Sequence, residues 1–164
     1  GVQTCALPIC TDSLSRARVA AVPDTAAAAR GIDDSAWERL RAAARDARDL
    51  AYAPYSRHPV GAAALTDDGR IVTGSNVENA SLGVTLCAEC ALVGDLVRTG
   101  RPGDRGSIVA ITCVGPSEGP LLPCGRCRQL LVEHGGGGIL VDRTGGPVPL
   151  ALLLPDAFGP EQLP

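Results

Sequence analysis

Leu86-Cys87-Ala88-Glu89-Cys90-Ala91-Leu92-Val93 and Leu122-Pro123-Cys124-Gly125-Arg126-Cys127-Arg128-Gln129-Leu130-Leu131 are the two stretches on which the reading of this chain turns. Each begins at cysteine and runs on into a helical pattern. The first reads as a helix from Cys87 to about Thr99, stopped by Gly100 at the C′ position; the second reads as a helix from Cys124 to about His134, stopped by the glycines at 135 to 138. Helix N-termini carry partial positive charge and free N–H groups, which favour thiolate over thiol. Cys87, Cys124 and Cys127 are therefore candidate ligands of Zn²⁺. Three sulfurs leave one tetrahedral corner for a water, whose pKa the metal lowers to about 7. Glu89 stands two residues from a ligand, too near to close that corner comfortably, yet well placed to carry protons between water and a substrate nitrogen. Cys90 keeps a second reading open, because Cys87, Cys90, Cys124 and Cys127 together make a Cys₄ set that would be closed and chemically inert.

Outward from these helices, Ile108 to Val114 reads as a buried strand between them and Ile139 to Val141 as another after them, with a weaker strand near Val148 to Leu150. Upstream, Val60 to Leu65 and Ile71 to Val77 read as two strands of a hairpin turning at Asp67-Asp68-Gly69. That places Asn76 and Glu78 at the end of the second strand. Ser35-Ala36-Trp37-Glu38 has the form of a capping box, opening a helix to about Leu50 whose apolar face is Trp37, Leu40, Ala44, Ala47 and Leu50. The order helix, hairpin, helix, strand, helix, strand implies an α/β layered domain with a mixed sheet.

The chain has 164 residues, which fits one domain. Its aromatics are Trp37, Tyr52, Tyr55 and Phe158, so the core must be built from Ala, Val, Leu and Ile. A net charge of −3 supplies no basic stripe for a phosphate backbone, which argues against a nucleic acid polymer and for a small neutral substrate. No apolar run approaches the roughly 20 residues of a membrane-spanning helix. The 7 cysteines include two C-x-x-C spacings and follow no secretory pattern, so metal binding in the cytoplasm fits better than a disulfide framework.

Ala51-Tyr52-Ala53-Pro54-Tyr55-Ser56, Pro59-Val60-Gly61-Ala62-Ala63, Asn76-Val77-Glu78-Asn79-Ala80-Ser81 and the two cysteine motifs, taken in this order, resemble cytidine deaminase of the small homotetrameric type that acts on free nucleosides. The likeness runs from about residue 35 to 160 and includes Leu154-Pro155-Asp156-Ala157-Phe158-Gly159. It implies a three-layer α/β/α sandwich and zinc-dependent deamination of cytidine and 2′-deoxycytidine to the uridines, a step of pyrimidine salvage. It also implies roles at the site. Glu89 moves the protons, Asn76 and Glu78 take the ribose hydroxyls, the backbone at Ala88 touches the base, and Phe158 packs near the nucleoside from a neighbouring subunit. The chain departs from the family at four places. His58 stands where a stacking Phe is usual, Leu82 where a Tyr is usual, Ser75 where a Cys is usual, and Cys90 where many members carry an arginine that hydrogen-bonds the thiolates. Two alternatives remain: deamination of another aminopyrimidine nucleoside, such as a nucleoside antibiotic, and a non-catalytic Cys₄ module.

Residues 1 to 10 read like the in-frame translation of a sequencing adapter, and the chain contains no methionine. Residues 11 to 33, rich in Ala, Asp and Arg without an apolar period, read as a disordered lead-in. The catalytic domain is expected over 34 to 164, and Cys5 and Cys10 take no part in its chemistry.

Overall fold

The computed structural model describes residues 32–101, 103–117 and 119–163; the adapter-like segment and the lead-in up to residue 31 lie outside the described residues. Helix α1 spans Asp34–Asp49, and its N-cap is Asp33, whose carboxylate accepts from the Ala36 amide at 2.7 Å. The capping-box pattern had pointed to Ser35. The carboxylate two residues earlier satisfies a free N–H and also complements the positive helix end, so it displaces the hydroxyl as the cap. Ser35 instead donates to Asp33 at 2.8 Å, and Glu38 turns to Arg41. The Ala36 hydrogen bond, helped by Ser35, holds the Asp33 carboxyl below its usual range. Trp37, Leu40, Ala44 and Ala47 form the buried face as expected, joined by Ala36. Leu50 does not belong to it: the helix ends one residue earlier, and Leu50 is 82% exposed.

The sheet contains β1 (Gly61–Thr66), β2 (Ile71–Ser75), β3 (Ile108–Val114), β4 (Pro120–Leu121), β5 (Leu140–Val141) and β6 (Val148–Pro149). Their order is β2-β1-β3-β5-β6, with β4 pairing the later part of β3. All pairs are antiparallel except β3 with β5, which is the mixed sheet the element order implied. Helix α2 (Ala88–Thr99) precedes β3, and helix α3 (Gly125–Glu133) makes the crossover between the parallel strands. Gly100 caps α2 in extended backbone, φ −70°, and not in the left-handed conformation its position suggested.

Strand alternation divides the core into two layers. Ala62 and Ala64 of β1 face Leu92, Leu96 and Leu131 of α2 and α3, whereas Ala63 faces Trp37, Leu40 and Ala44 of α1. Helices thus cover both faces, giving the three-layer α/β/α sandwich. Small residues in the middle layer bring the helices very close. A Cβ on Gly74 of β2 would lie 2.2 Å from the Leu92 nitrogen and 2.3 Å from the Ala88 oxygen, so α2 rests with its backbone on the strand. On the other face, a Cβ on Gly61 would lie 2.0 Å from the Ala44 oxygen of α1. A polar clamp adds to the apolar contact: Asp142, fully buried after β5, accepts from Arg41 of α1 at 2.8 and 2.9 Å and from Thr112 of β3 at 2.9 Å. The Asp142 hydrogen bond pushes the Arg41 pKa up.

β2 ends at Ser75, two residues short of the strand read from the pattern, because Ser75 Oγ donates back to the Ala47 carbonyl of α1 and the chain leaves the sheet. Beyond it, Val77 pairs with Tyr52 on one side and Leu86 on the other. No helix among the described residues is long and apolar enough to cross a membrane.

Two outcomes follow from this packing. Gly74→Ala forces α2 off β2 and is expected to lower stability by about 1 to 3 kcal/mol, read as a shifted urea midpoint with unchanged slope. A chain beginning at Ile32 is expected to unfold like the full chain, whereas one beginning at Asp34 loses the Asp33 cap and about 1 kcal/mol. The same urea titration separates the two truncations.

Candidate metal centre and active site

Cys87 is the N-cap of α2 and Cys124 the N-cap of α3, both in extended backbone and neither using its side chain to cap the helix. Thiols make poor caps, so both sulfurs stay available. Cys127 enters from the first turn of α3 and is buried. Because α2 and α3 lie on the same face of the sheet, the two helix starts converge. The three sulfurs lie within 4.8 Å of one another, with Cys87 and Cys124 3.9 Å apart. A tetrahedral zinc with bonds of about 2.3 Å requires sulfurs about 3.8 Å apart. The donor set therefore fits Zn²⁺ in both chemistry and spacing.

Crowding pulls the thiols in different directions. Burial pushes Cys87 up against the opposing pull of the Arg126 hydrogen bond, and burial together with the nearby Glu89 charge pushes Cys127 well up. For Cys124, which is the exposed member, the upward push of burial is outweighed by the pull of the nearby Cys127 amide and of the other two sulfurs, and its thiol is lowered. Glu89 occupies the first turn of α2 and is only 5% exposed. Burial first, and the Glu89 charge after it, push up the thiols of Cys127 and of the buried Cys113 of β3, and the same charge adds to the upward push on Cys87. A buried carboxylate is therefore held beside the sulfurs, next in the chain to Ala88, which has no exposed surface.

Cys90 stands outside the three-sulfur group. Its sulfur instead lies 3.8 Å from a terminal nitrogen of Arg126, the same nitrogen that reaches Cys87 Sγ at 3.5 Å and the Thr85 carbonyl at 3.2 Å. Arg126 was missed in the sequence. The signal available was its place between the two cysteines of Cys124-Gly125-Arg126-Cys127, where a side chain on the first helical turn projects beside the ligands.

Asn76 and Glu78 lie on one segment, with Val77 between them paired to its neighbours, yet both side chains are engaged with the loop at 52 to 60. Asn76 Oδ1 accepts from the Val60 amide at 2.8 Å, and its Nδ2 donates to the His58 carbonyl at 3.1 Å. The Glu78 carboxylate accepts from the Tyr55 and Ser56 amides at 2.8 and 3.2 Å and from Ser56 Oγ. Those contacts, Ser56 Oγ first, lower the Glu78 pKa. His58 is exposed on this same loop, its amide donating to Ser56 Oγ at 3.0 Å and its ring close to Gly115 at the end of β3. Phe158 is 56% exposed on the C-terminal tail, which Gln129 of α3 anchors by donating to the Phe158 carbonyl at 2.8 Å. Leu82 is exposed in a short 3₁₀ turn, Leu82–Val84. A cavity of about 300 Å³ lies away from the cysteines, beside Arg41, Arg45 and Arg48 of α1.

Comparison with known proteins agrees with this geometry. Residues 34–141 match the cytidine and deoxycytidylate deaminase zinc-binding region. Cytidine deaminase of Mycobacterium tuberculosis is 55% identical over 133 residues, covering 81% of this chain and 97% of that protein. Cytidine deaminase of Sporosarcina psychrophila is 41% identical over 131 residues, covering 77% and 93%. The crystal structure of the M. tuberculosis enzyme superimposes with a TM-score of 0.70 at 56% identity, over 75% of this chain and 97% of that one. With the zinc-binding region matched across most of its folded part and a relative this similar over nearly its whole length, the chain belongs to the cytidine and deoxycytidylate deaminase family.

Proposed function

We propose that this chain is a cytidine and 2′-deoxycytidine deaminase, hydrolysing the 4-amino group to give the uridine and ammonia. The observation that carries the reading is one juxtaposition: three sulfurs at zinc spacing, and a buried carboxylate, Glu89, on the helix start that carries Cys87. Cys87, Cys124 and Cys127 would hold the metal. When bound, Zn²⁺ supplies Lewis acidity that makes a water nucleophilic at neutral pH. Glu89 takes a proton from the attacking water and delivers it to ring N3 as C4 becomes tetrahedral, then takes the remaining proton of the added hydroxyl and gives it to the amine as the C4–N bond breaks and C4=O forms. Its burial keeps bulk water from competing for those protons.

Asn76 and Glu78 are assigned to the ribose hydroxyls. They brace the loop at 52 to 60 through Val60, His58, Tyr55 and Ser56, so a bound sugar would share acceptors that already shape the pocket wall. The Ala88 backbone is assigned to the base from the resemblance; Ala88 has no exposed surface in the folded chain, so a base reaches it only if the segments around it move. His58 supplies a smaller stacking surface than a phenyl ring. Tyr55, Leu82, Leu86, Leu122 and Phe158 are each exposed, as apolar residues are where subunits meet. They support a homotetramer in which Phe158 of one subunit approaches its neighbour's site. A cytoplasmic location for the enzyme fits free thiols. The catalytic domain is taken as residues 34 to 164, with Asp33 as the cap of its first helix.

Glu89→Gln is expected to retain stoichiometric zinc while kcat on cytidine falls about 10² to 10⁴-fold, followed by the ultraviolet change on conversion to uridine. Near-normal turnover in that variant overturns the assignment of Glu89. Cys90→Ala is expected to keep one zinc per chain after gel filtration and most of its activity. Loss of the metal from it would return the site to the Cys₄ reading.

A further inference from the structure

Three thiolates around Zn²⁺ leave a net charge of −1, and the Glu89 carboxylate places a second negative charge against the same sulfurs. Helix N-termini offset part of this. Among the described residues, the cation hydrogen-bonded to the cluster is Arg126, on the first turn of α3. Arg128, two residues on, turns away: its guanidinium donates to the Pro123 and Leu153 carbonyls at 2.9 and 2.8 Å. A single terminal nitrogen of Arg126 reaches Cys87 Sγ, Cys90 Sγ and the Thr85 carbonyl. Thr85 lies two residues before Cys87, so this one group ties the start of α3 to the segment that delivers the ligand of α2.

We propose that Arg126 is the positioning and charge-balancing residue of the metal centre, holding the Cys87 thiolate by hydrogen bond and charge, with Cys90 as its second sulfur partner instead of a fourth ligand. The inference rests on the zinc-site reading. A guanidinium donating to a thiolate withdraws electron density from the sulfur and lowers its reactivity, while its positive charge disfavours protonation and release of the ligand. Cys90 is small and soft enough to let the guanidinium reach past it to Cys87. A guanidinium carried on residue 90 instead would enter the same space, since that sulfur is 3.8 Å from the Arg126 nitrogen.

The test measures zinc affinity of the purified chain against a chromophoric chelator, together with the rate at which iodoacetamide alkylates the zinc-loaded protein. Arg126→Met, which keeps the length and loses the charge, is expected to weaken zinc about 10- to 100-fold and to speed alkylation. Arg126→Lys is expected to fall between this variant and the wild type. Adding Cys90→Arg to Arg126→Met is expected to recover affinity and slow alkylation again. The metal-free forms should unfold at the same urea concentration as the metal-free wild type. Zinc affinity of Arg126→Met within about twofold of wild type overturns the inference, as does an equal loss of metal-free stability, which would make Arg126 a structural brace only. A wild-type chain that takes up no zinc overturns the metal-site reading and this inference together; a wild type that binds zinc as well as Arg126→Met does overturns this inference alone.

Discussion

The contact on which the site depends is backbone against backbone: α2 lying on β2 at Gly74, with the Ala88 oxygen and the Leu92 nitrogen where a side chain would otherwise be. That approach sets the height of α2 above the sheet. It thereby sets the positions of Cys87 at the cap, Glu89 on the first turn and Ala88 sealed beneath them. Ala62 and Ala64 extend the same low surface across β1, and Gly61 and Ala63 repeat it against α1 on the opposite face. A chain poor in aromatics must gain its stability from dispersion between closely spaced backbones, because few large side chains are present to fill wider gaps. Those tight layers are also what hold two helix starts within zinc-binding distance.

Electrostatics at the convergence runs against burial. Burial and the Glu89 charge raise the buried thiols, whereas helix N–H groups, sulfur hydrogen bonds and Arg126 stabilise the charged forms. The competition leaves unlike sulfurs in one cluster: exposed Cys124 lowered, buried Cys127 raised. A metal removes the conflict by replacing protons with one divalent charge, which is why such a site gains much of its order on binding. Asp142 on the far face shows the other way to keep a charge buried, with Arg41 and Thr112 filling its acceptors.

The polar loop at 52 to 60 links the two ends of the proposed substrate site. Asn76 and Glu78 hold it from the segment that follows β2, and the loop in turn presents His58 and Tyr55. Residues read in the sequence as sugar ligands are thus also architectural, and substitution at either would disturb the pocket wall as well as any contact with ribose. The exposed apolar residues around this wall, Leu86 and Leu122 beside Cys87 and Cys124 among them, are left uncovered by the other described residues.

What the sequence by itself determined is whatever local chemistry dictates: the strand Ile108–Val114 from its apolar run, the hairpin from Asp67-Asp68-Gly69, and both cysteine-led helices from their caps and periodicity. The misses were also local, at element ends where two groups compete. Asp33 took the cap from Ser35, Leu50 fell outside the helix it had been assigned to, and β2 stopped when Ser75 bonded across to α1. Only the tertiary structure decided which cysteines meet. Cys87-x-x-Cys90 and Cys124-x-x-Cys127 are equivalent as spacings, but α2 turns Cys90 toward Arg126 while α3 turns Cys127 into the cluster. The reason is geometric: spacing along one helix fixes a side chain's direction about that helix, whereas the relative rotation of two helices is set by the small residues of the sheet on which both rest.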